Sequence, residues 1–192
     1  MTRNAKTIFT LGCLLIAAGL ALLLILQVQT KQAQQSNAEI VQTMESILTN
    51  RTTGAVDEER TAEMPALELQ GKDFIALLEI PAYGLKLPVC GEWDKSLIST
   101  HPCRFYGSAY NGTLIIGGSD RAEQFDFFDR IYTDIPVKLT DITGCTYSYT
   151  VTRIDRSKTA DAETLVNSDA DLTLFVRHAQ LPEYIILRCE AK

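Results

Sequence analysis

From residue 74 onward the sequence consists of short apolar or alternating runs, each separated from the next by turn residues. Runs of about four to eight residues are typical of β-strands, whereas helices need longer stretches with a helical period. The segment 146–151 (Thr-Tyr-Ser-Tyr-Thr-Val) is dense in strand-favouring residues, and 141–144 (Asp-Ile-Thr-Gly) before it indicates a hairpin turn. We predict strands at 74–80, 113–117, 137–140, 145–154, 172–176 and 184–189.

Few helices accompany these strands. Short helical pieces are predicted at 125–131 and 161–166, and Phe125, Phe127 and Phe128 are expected to anchor the first of them to the sheet. Many short strands with few helices indicate a β-sandwich or a closed β-barrel. We predict that the folded domain spans residues 71–192, which is long enough to bury a core.

The N-terminal region has a different pattern. Residues 7–26 are uncharged and nearly all apolar, and about 20 such residues suffice for one helical membrane crossing. Arg3 and Lys6 precede the run, which favours a cytoplasmic N-terminus at 1–6. We therefore predict a transmembrane signal-anchor at 7–27 in a single-pass cell-membrane protein whose C-terminal domain is extracellular.

A cleaved signal peptide is the alternative interpretation, but the apolar run is long and 27–30 (Gln-Val-Gln-Thr) is a poor cleavage site. Residues 28–70 are predicted to form an extracellular helical stalk and linker. Within them 31–50 has an apolar stripe typical of a helix that packs on the domain or on itself, and 51–71 is polar, acidic and interrupted by Gly54 and Pro65.

Charge and cysteine content argue against several functions. The net charge of −6 disfavours nucleic-acid binding, which relies on clustered Lys and Arg. None of the five cysteines forms a Cys-x-x-Cys pair, and the carboxylates lack calcium-loop spacing, so we expect no metal or other cofactor. The sequence alone does not pair the four cysteines that follow the apolar run, which are Cys90, Cys103, Cys145 and Cys189.

Five segments, in order across nearly all of the folded region, resemble the sortases, the cysteine transpeptidases of Gram-positive surfaces. They are 78–89, 102–110, 113–120 (Thr-Leu-Ile-Ile-Gly-Gly-Ser-Asp), 171–178 (Asp-Leu-Thr-Leu-Phe-Val-Arg-His) and 185–190. The resemblance implies a mostly β fold, a sortase-like closed β-barrel with short helices and a groove for extended peptides. It also implies a cysteine that attacks a sorting signal of the Leu-Pro-x-Thr-Gly type, a histidine that moves protons and an arginine that stabilises the carbonyl oxygen.

All three functional positions implied by the resemblance carry other residues. Ser119 replaces the histidine, Arg177 replaces the cysteine, and Tyr184 stands at the arginine position, or Glu183 if the register is one residue off. A guanidinium has no accessible neutral form near pH 7 and cannot attack a carbonyl, and a serine hydroxyl does not exchange protons usefully at neutral pH. No catalytic residue is therefore intact, and Ser119, Asp120, Arg177, Glu183 and Tyr184 become candidate groove residues.

Neighbouring side chains are poor replacements. His178 follows Arg177, and successive side chains on a strand point to opposite faces. His101 is expected to lie in a surface loop, and free cysteines are usually small buried apolar groups. Ser119 as a nucleophile would need a base within hydrogen-bond reach, and no histidine is obviously placed for that.

The short connection between Arg177 and Tyr184 predicts a hairpin in which these two residues lie opposite each other on one face. In that arrangement Arg177 stacks on the Tyr184 ring or pairs with Glu183.

Three functions remain open. The favoured one is an inactive sortase relative that binds a sorting-signal peptide, a pilin or an active sortase through the former active-site groove. The second is a working sortase-class transpeptidase with a non-standard site. The third is a structural ectodomain, because a fold alone does not determine a function.

Overall fold

The computed structural model of the chain describes residues 16–22, 37–49, 63–121, 123–166 and 169–192. The chain divides into two compact units, Met1–Ser36 and Asn37–Lys192. In the first unit, residues 16–22 are helical and exposed. Among the described residues, no helix combines the length and the apolar character that a membrane crossing requires. The predicted signal-anchor at 7–27 lies mostly outside the described residues and stays a prediction.

The described part of the second unit contains nine strands. They are β1 (Leu67–Leu69), β2 (Lys72–Ile80), β3 (Leu85–Cys90), β4 (Cys103–Tyr106), β5 (Leu114–Ser119), β6 (Pro136–Asp141), β7 (Thr146–Ser157), β8 (Leu172–Arg177) and β9 (Tyr184–Ala191). The strands form one sheet in the order β1-β2-β3-β4-β5-β8-β9-β7-β6, and an additional pairing of β2 with β6 closes β2 to β9 into a barrel. This arrangement confirms the predicted closed β-barrel.

Helices are few and short. Helix α1 spans 37–49, and α2 spans Ala162–Val166. Three 3₁₀ turns occupy Pro81–Tyr83, Ala109–Asn111 and Phe128–Arg130. The helix predicted at 125–131 is wrong, since only its Phe128–Arg130 part is helical, as a 3₁₀ turn. Phe125, Phe127 and Phe128 are all buried. One face of a regular helix would not direct three side chains at these positions into the core, so the segment is not an α-helix.

Six strands, β2 and β5 to β9, lie where the sequence predicts strands, whereas β1, β3 and β4 were missed. Strand β3 contains Pro88, which lacks an N–H donor and makes the run look like a turn. The structure accommodates this proline because the pairing of β3 with β4 starts only at Cys90. Strand β4 is only four residues long, so its alternation carries little signal.

The start of the barrel differs from the prediction of a linker up to residue 70. Strand β1 lies inside the predicted linker and pairs with β2 through a tight turn at Gln70 and Gly71, whose φ values are 53° and 72°. Positive φ at both central residues is typical of a two-residue hairpin turn. The predicted boundary at 71 therefore falls within a hairpin.

Helix α1 packs on the barrel. Ile40 and Met44 are each only 1% exposed and lie in one apolar cluster with Phe74, Leu77 and other buried residues of β2 to β4. Their four-residue spacing places them on one face of the helix. The main core is separate and fills the barrel interior with aliphatic and aromatic side chains from every strand but β1 and β4. The apolar stripe of the predicted stalk helix thus covers one side of the barrel.

Candidate functional site

The three positions that the resemblance assigns to functional residues lie in one row across three neighbouring strands. Ser119 at the end of β5 pairs with Arg177 at the end of β8, and Arg177 pairs with Tyr184 at the start of β9. Val176, which precedes Arg177, and Ile185, which follows Tyr184, point into the barrel core. Because side chains alternate along a strand, the row faces away from that core. The predicted hairpin register of Arg177 and Tyr184 is confirmed.

A cleft of about 660 Å³ lies at one end of this row. We call it the Arg177 cleft. Two chain segments supply most of its lining: the end of β5 with the loop after it, and the end of β8 with the connection to β9. The lining includes Ile98, Ser119, Asp120, Arg177, His178 and Leu181.

Two predicted groove residues lie outside this lining. Glu183 forms an ion pair with Arg156 of β7 instead of Arg177, so that predicted pairing is wrong. Tyr184 packs against an outer apolar cluster that contains Phe175 and Ile186. For Glu183 the reason is that β9 also pairs with β7, which brings Arg156 alongside it.

Ser119 has an unsatisfied hydroxyl. Its backbone N–H donates to Gln124 Oε1 (3.0 Å), whereas its Oγ is buried and has no hydrogen-bond partner among the described residues. A buried hydroxyl left in this state costs about 1–3 kcal/mol. Gln124 Nε2 also donates to the Ile98 carbonyl (3.3 Å), which ties the end of β5 to the loop 91–102.

Arg177 is exposed at the cleft. Within the part of the chain that the structure describes, its guanidinium makes no hydrogen bond or ion pair. Stacking on the Tyr184 ring stays a prediction. A planar guanidinium with five N–H donors suits carboxylates and carbonyl oxygens, so this side chain is available to a ligand.

Asp120 and His178 also line the cleft and interact with the connection after β8. Asp120 Oδ2 accepts the Ala179 N–H (2.7 Å) and lies 3.6 Å from His178 Nδ1. His178 therefore lines the same cleft as Arg177, contrary to the expectation that it points to the opposite face. Strand β8 ends at Arg177, so the alternation of faces does not extend to the next residue.

The hydrogen bonds of His178 determine which nitrogen carries its proton. Nδ1 accepts the N–H groups of Gln180 (3.0 Å) and Leu181 (3.4 Å). A neutral imidazole with an accepting Nδ1 carries its proton on Nε2. In this state Nε2 is a donor and cannot take a proton from the Ser119 hydroxyl.

None of the four cysteines in the described ranges lines the Arg177 cleft. Cys90 and Cys103 are buried in the cluster beneath α1. Cys189 lies in the barrel core, where burial raises the pKa of its thiol to about 12. Cys145 lies in the turn between β6 and β7. A nucleophilic thiolate is therefore not available at the cleft from these residues.

His101 is buried, so its predicted position in a surface loop is wrong. It is 1% exposed, its ring lies edge-on to Phe74, and its Nε2 is 3.0 Å from Lys72 Nζ. Burial, followed by repulsion from Lys72, lowers the pKa of His101 to about 4. The tertiary contacts between β2 and the loop 91–102 account for this burial.

An aromatic cluster beside the cleft was not found from the sequence. Trp93 stacks on Phe175 with ring centroids 5.6 Å apart and meets Phe105 edge-on at 5.3 Å. Gly117 pairs with Phe175 and allows this approach, since a Cβ at residue 117 would lie 2.4 Å from the Trp93 ring. The Gly117-Gly118 pair inside a strand was the available signal, because glycine in a strand often marks a close approach.

The closed eight-strand barrel, with the Ser119–Arg177–Tyr184 row at its strand ends, has the sortase fold. It is similar to sortase A from Corynebacterium diphtheriae, with a TM-score of 0.56, 18% identity and coverage of 86% of this chain and 93% of that chain. It is also similar to the pilus-related sortase C of Group B Streptococcus, with a TM-score of 0.56, 16% identity and coverage of 83% and 93%.

A third similar structure is sortase C from Clostridium perfringens SM101, with a TM-score of 0.53, 15% identity and coverage of 85% of this chain and 95% of that chain. At such low identities the likeness establishes the fold and leaves the activity open. No protein-family model matches the sequence, and no curated protein matches it.

Proposed function

We propose that this chain is a catalytically inactive protein with the sortase fold that binds an extended peptide in the Arg177 cleft. The observation that carries the proposal is the position of Arg177, opposite Ser119 at a cleft that none of the described cysteines lines. A permanently charged guanidinium binds carbonyl or carboxylate oxygens but does not form an acyl intermediate.

The chemistry of the cleft suits a peptide. Leu181 and Ile98 contribute apolar surface, and Arg177 contributes a guanidinium that lacks a partner among the described residues. Ligand sites commonly combine mostly apolar walls with a few polar groups that orient the ligand. A peptide supplies both apolar side chains and backbone carbonyls.

We further propose that the chain is anchored in the cell membrane through 7–27, with the barrel outside the cell. The uncharged run at 7–26, preceded by Arg3 and Lys6, supports this orientation. The partners that fit are a sorting-signal peptide, a pilin or an active sortase. One of the similar structures is named as a pilus-related sortase, which makes a pilin a reasonable first partner to test.

Trp93 provides the readout for a binding experiment, because it is the single tryptophan of the chain and lies beside the cleft. A peptide of the Leu-Pro-x-Thr-Gly type is titrated into the purified chain while Trp93 fluorescence is recorded. We expect saturable binding that Arg177→Ala weakens about tenfold or more, the loss of one charge-assisted hydrogen bond.

Arg156→Ala is the matched control, since it also removes an exposed arginine but one that pairs with Glu183 outside the cleft. It should bind the peptide like the unmodified chain. Equal affinities for all three proteins would contradict the proposal.

A working enzyme is the second candidate. Ser119, Asp120 and His178 line one cleft, and these are the residue types of a serine nucleophile with its base and orienting carboxylate. The two amide hydrogen bonds to His178 Nδ1 oppose this function in the observed arrangement. Peptide turnover that disappears in Ser119→Ala would favour it over the binding function.

A further inference from the structure

Strands β3 and β4 are joined at a pair of cysteines. Their parallel register pairs Cys90 directly with Cys103, and the Cys90 N–H donates to the Pro102 carbonyl (2.9 Å). Neighbouring strands lie about 4.7–4.9 Å apart, within the range of about 4.4–6.8 Å that Cα atoms of a disulfide span. The side chains of the two cysteines also interact and shift each other's pKa. The backbone therefore already brings these cysteines to bonding distance.

The surroundings distinguish this pair from the other described cysteines. Cys90 and Cys103 lie in the apolar cluster beneath α1 and are at most 2% exposed. Cys189 lies in the barrel core and Cys145 in the turn between β6 and β7. A disulfide forms only between cysteines whose backbones already approach, so the register selects Cys90 and Cys103.

We propose that Cys90 and Cys103 form an intramolecular disulfide when the chain meets a small-molecule disulfide oxidant. This inference does not rest on the proposed function. The Cys103 thiolate attacks one sulfur of the oxidant, forms a mixed disulfide and releases one thiolate, which takes up a proton. Cys90 then loses its proton, attacks Cys103 Sγ and displaces the second thiolate. Two protein thiols are oxidised to one disulfide, and the oxidant is reduced to two thiols.

The electrostatics support Cys103 as the first attacking sulfur. The interaction with Cys90 lowers the pKa of the Cys103 thiol. Both sulfurs are covered by α1, so the oxidant reaches them when the chain folds or when α1 opens locally. The disulfide is then buried beneath α1.

The disulfide would close a ring at the base of the loop 91–102. This loop carries Trp93, which stacks on Phe175, and Ile98, whose carbonyl binds Gln124 beside Ser119. A crosslink restricts the unfolded chain and thereby stabilises the fold. It would also hold the loop that forms part of the wall of the Arg177 cleft.

The test uses the purified full chain, incubated with oxidised glutathione or with dithiothreitol. Trypsin cleaves after Lys86, Lys95 and Arg104, so Cys90 and Cys103 fall on different peptides, 87–95 and 96–104. Without reduction, mass spectrometry should find these peptides joined with the loss of two hydrogens. In the denatured oxidised chain the titratable thiols should fall from five to three. Unlinked peptides, or joining to Cys145 or Cys189, would overturn the proposal.

Two cysteine variants provide the controls. Cys145→Ser should still form the linked peptides, and oxidation should raise its Tm by about 5 °C, as in the unmodified chain. Cys103→Ser should show no linkage and no such shift. An equal rise in Tm for Cys103→Ser would also overturn the proposal. The peptide map of the unmodified chain decides the matter even if Cys103→Ser folds poorly.

Discussion

Ser119 and Arg177 lie directly opposite each other on the parallel strands β5 and β8, and both line one cleft. Among the described residues, a buried hydroxyl without a hydrogen-bond partner thus neighbours a guanidinium without an ion-pair partner. The serine can accept or donate one bond and the arginine can donate several. A ligand in the cleft with carbonyl or carboxylate oxygens would satisfy the exposed Arg177 guanidinium.

We expect no covalent chemistry at this cleft. A labelled Leu-Pro-x-Thr-Gly-type peptide and a nucleophilic amine should give no transpeptidation product with the unmodified chain or with Ser119→Ala. The reason is that Arg177 cannot act as a nucleophile and His178 Nδ1 is occupied by two amides. Intact-mass measurement checks this, and an acyl adduct on Ser119 or on any cysteine would contradict it.

Gly117→Ala should displace the tryptophan. The new Cβ would lie 2.4 Å from the Trp93 ring and 2.6 Å from the Phe175 ring, closer than such atoms approach. We expect a changed Trp93 emission spectrum and a loss of about 1–3 kcal/mol in the free energy of unfolding. Lys95→Ala, an exposed change in the same loop, should leave both unaltered. Unchanged emission in Gly117→Ala would show that the stacking is not maintained in solution.

His101 should make the fold sensitive to acid. Its pKa is about 4 in the folded chain, below the ordinary value of 6.5. As the pH falls from 6.5 to 4, the unfolded chain binds a proton that the folded chain does not bind, so stability is lost in that window. The loss reaches roughly 3 kcal/mol at pH 4 and becomes complete only below that pH.

The variant His101→Gln should lack this contribution, because the amide keeps an acceptor for Lys72 Nζ but does not titrate. Urea unfolding at pH 7 and pH 4.5 measures how far the free energy of unfolding falls in each protein. The carboxylates contribute equally to both falls, so their contribution cancels when the two falls are compared. If the free energy of unfolding falls equally in both proteins, His101 is not the cause of the acid sensitivity.

Helix α1 should be part of the cooperative fold. Met44→Ala removes a buried side chain that packs between the helix and the barrel, and we expect a loss of about 2–5 kcal/mol in the free energy of unfolding. Gln42→Ala on the exposed side of α1 should change it by less than about 0.5 kcal/mol. Equal stability of the two variants would mean that α1 does not stay on the barrel.

Much of the fold followed from local patterns. Alternating or continuous apolar runs predicted β2 and β5 to β9, since strand formation by such runs needs only nearby residues. Strands β3 and β4 were missed because a proline and a short length weaken the pattern. Within the site, the hairpin rule placed Arg177 opposite Tyr184, but the partner of Glu183 proved to be Arg156 on a strand distant in sequence.

The amino-acid sequence by itself determined the β-rich class of the fold and the residues at the three positions where its segments resemble the functional residues of sortases. Both are local properties, readable from alternation and from short segments. Only the tertiary structure brought His178 into the cleft with Ser119, buried His101 beside Lys72 and set Cys90 opposite Cys103. These contacts depend on where the chain bends and on which strands pair when the barrel closes, and residues far apart in sequence decide that together.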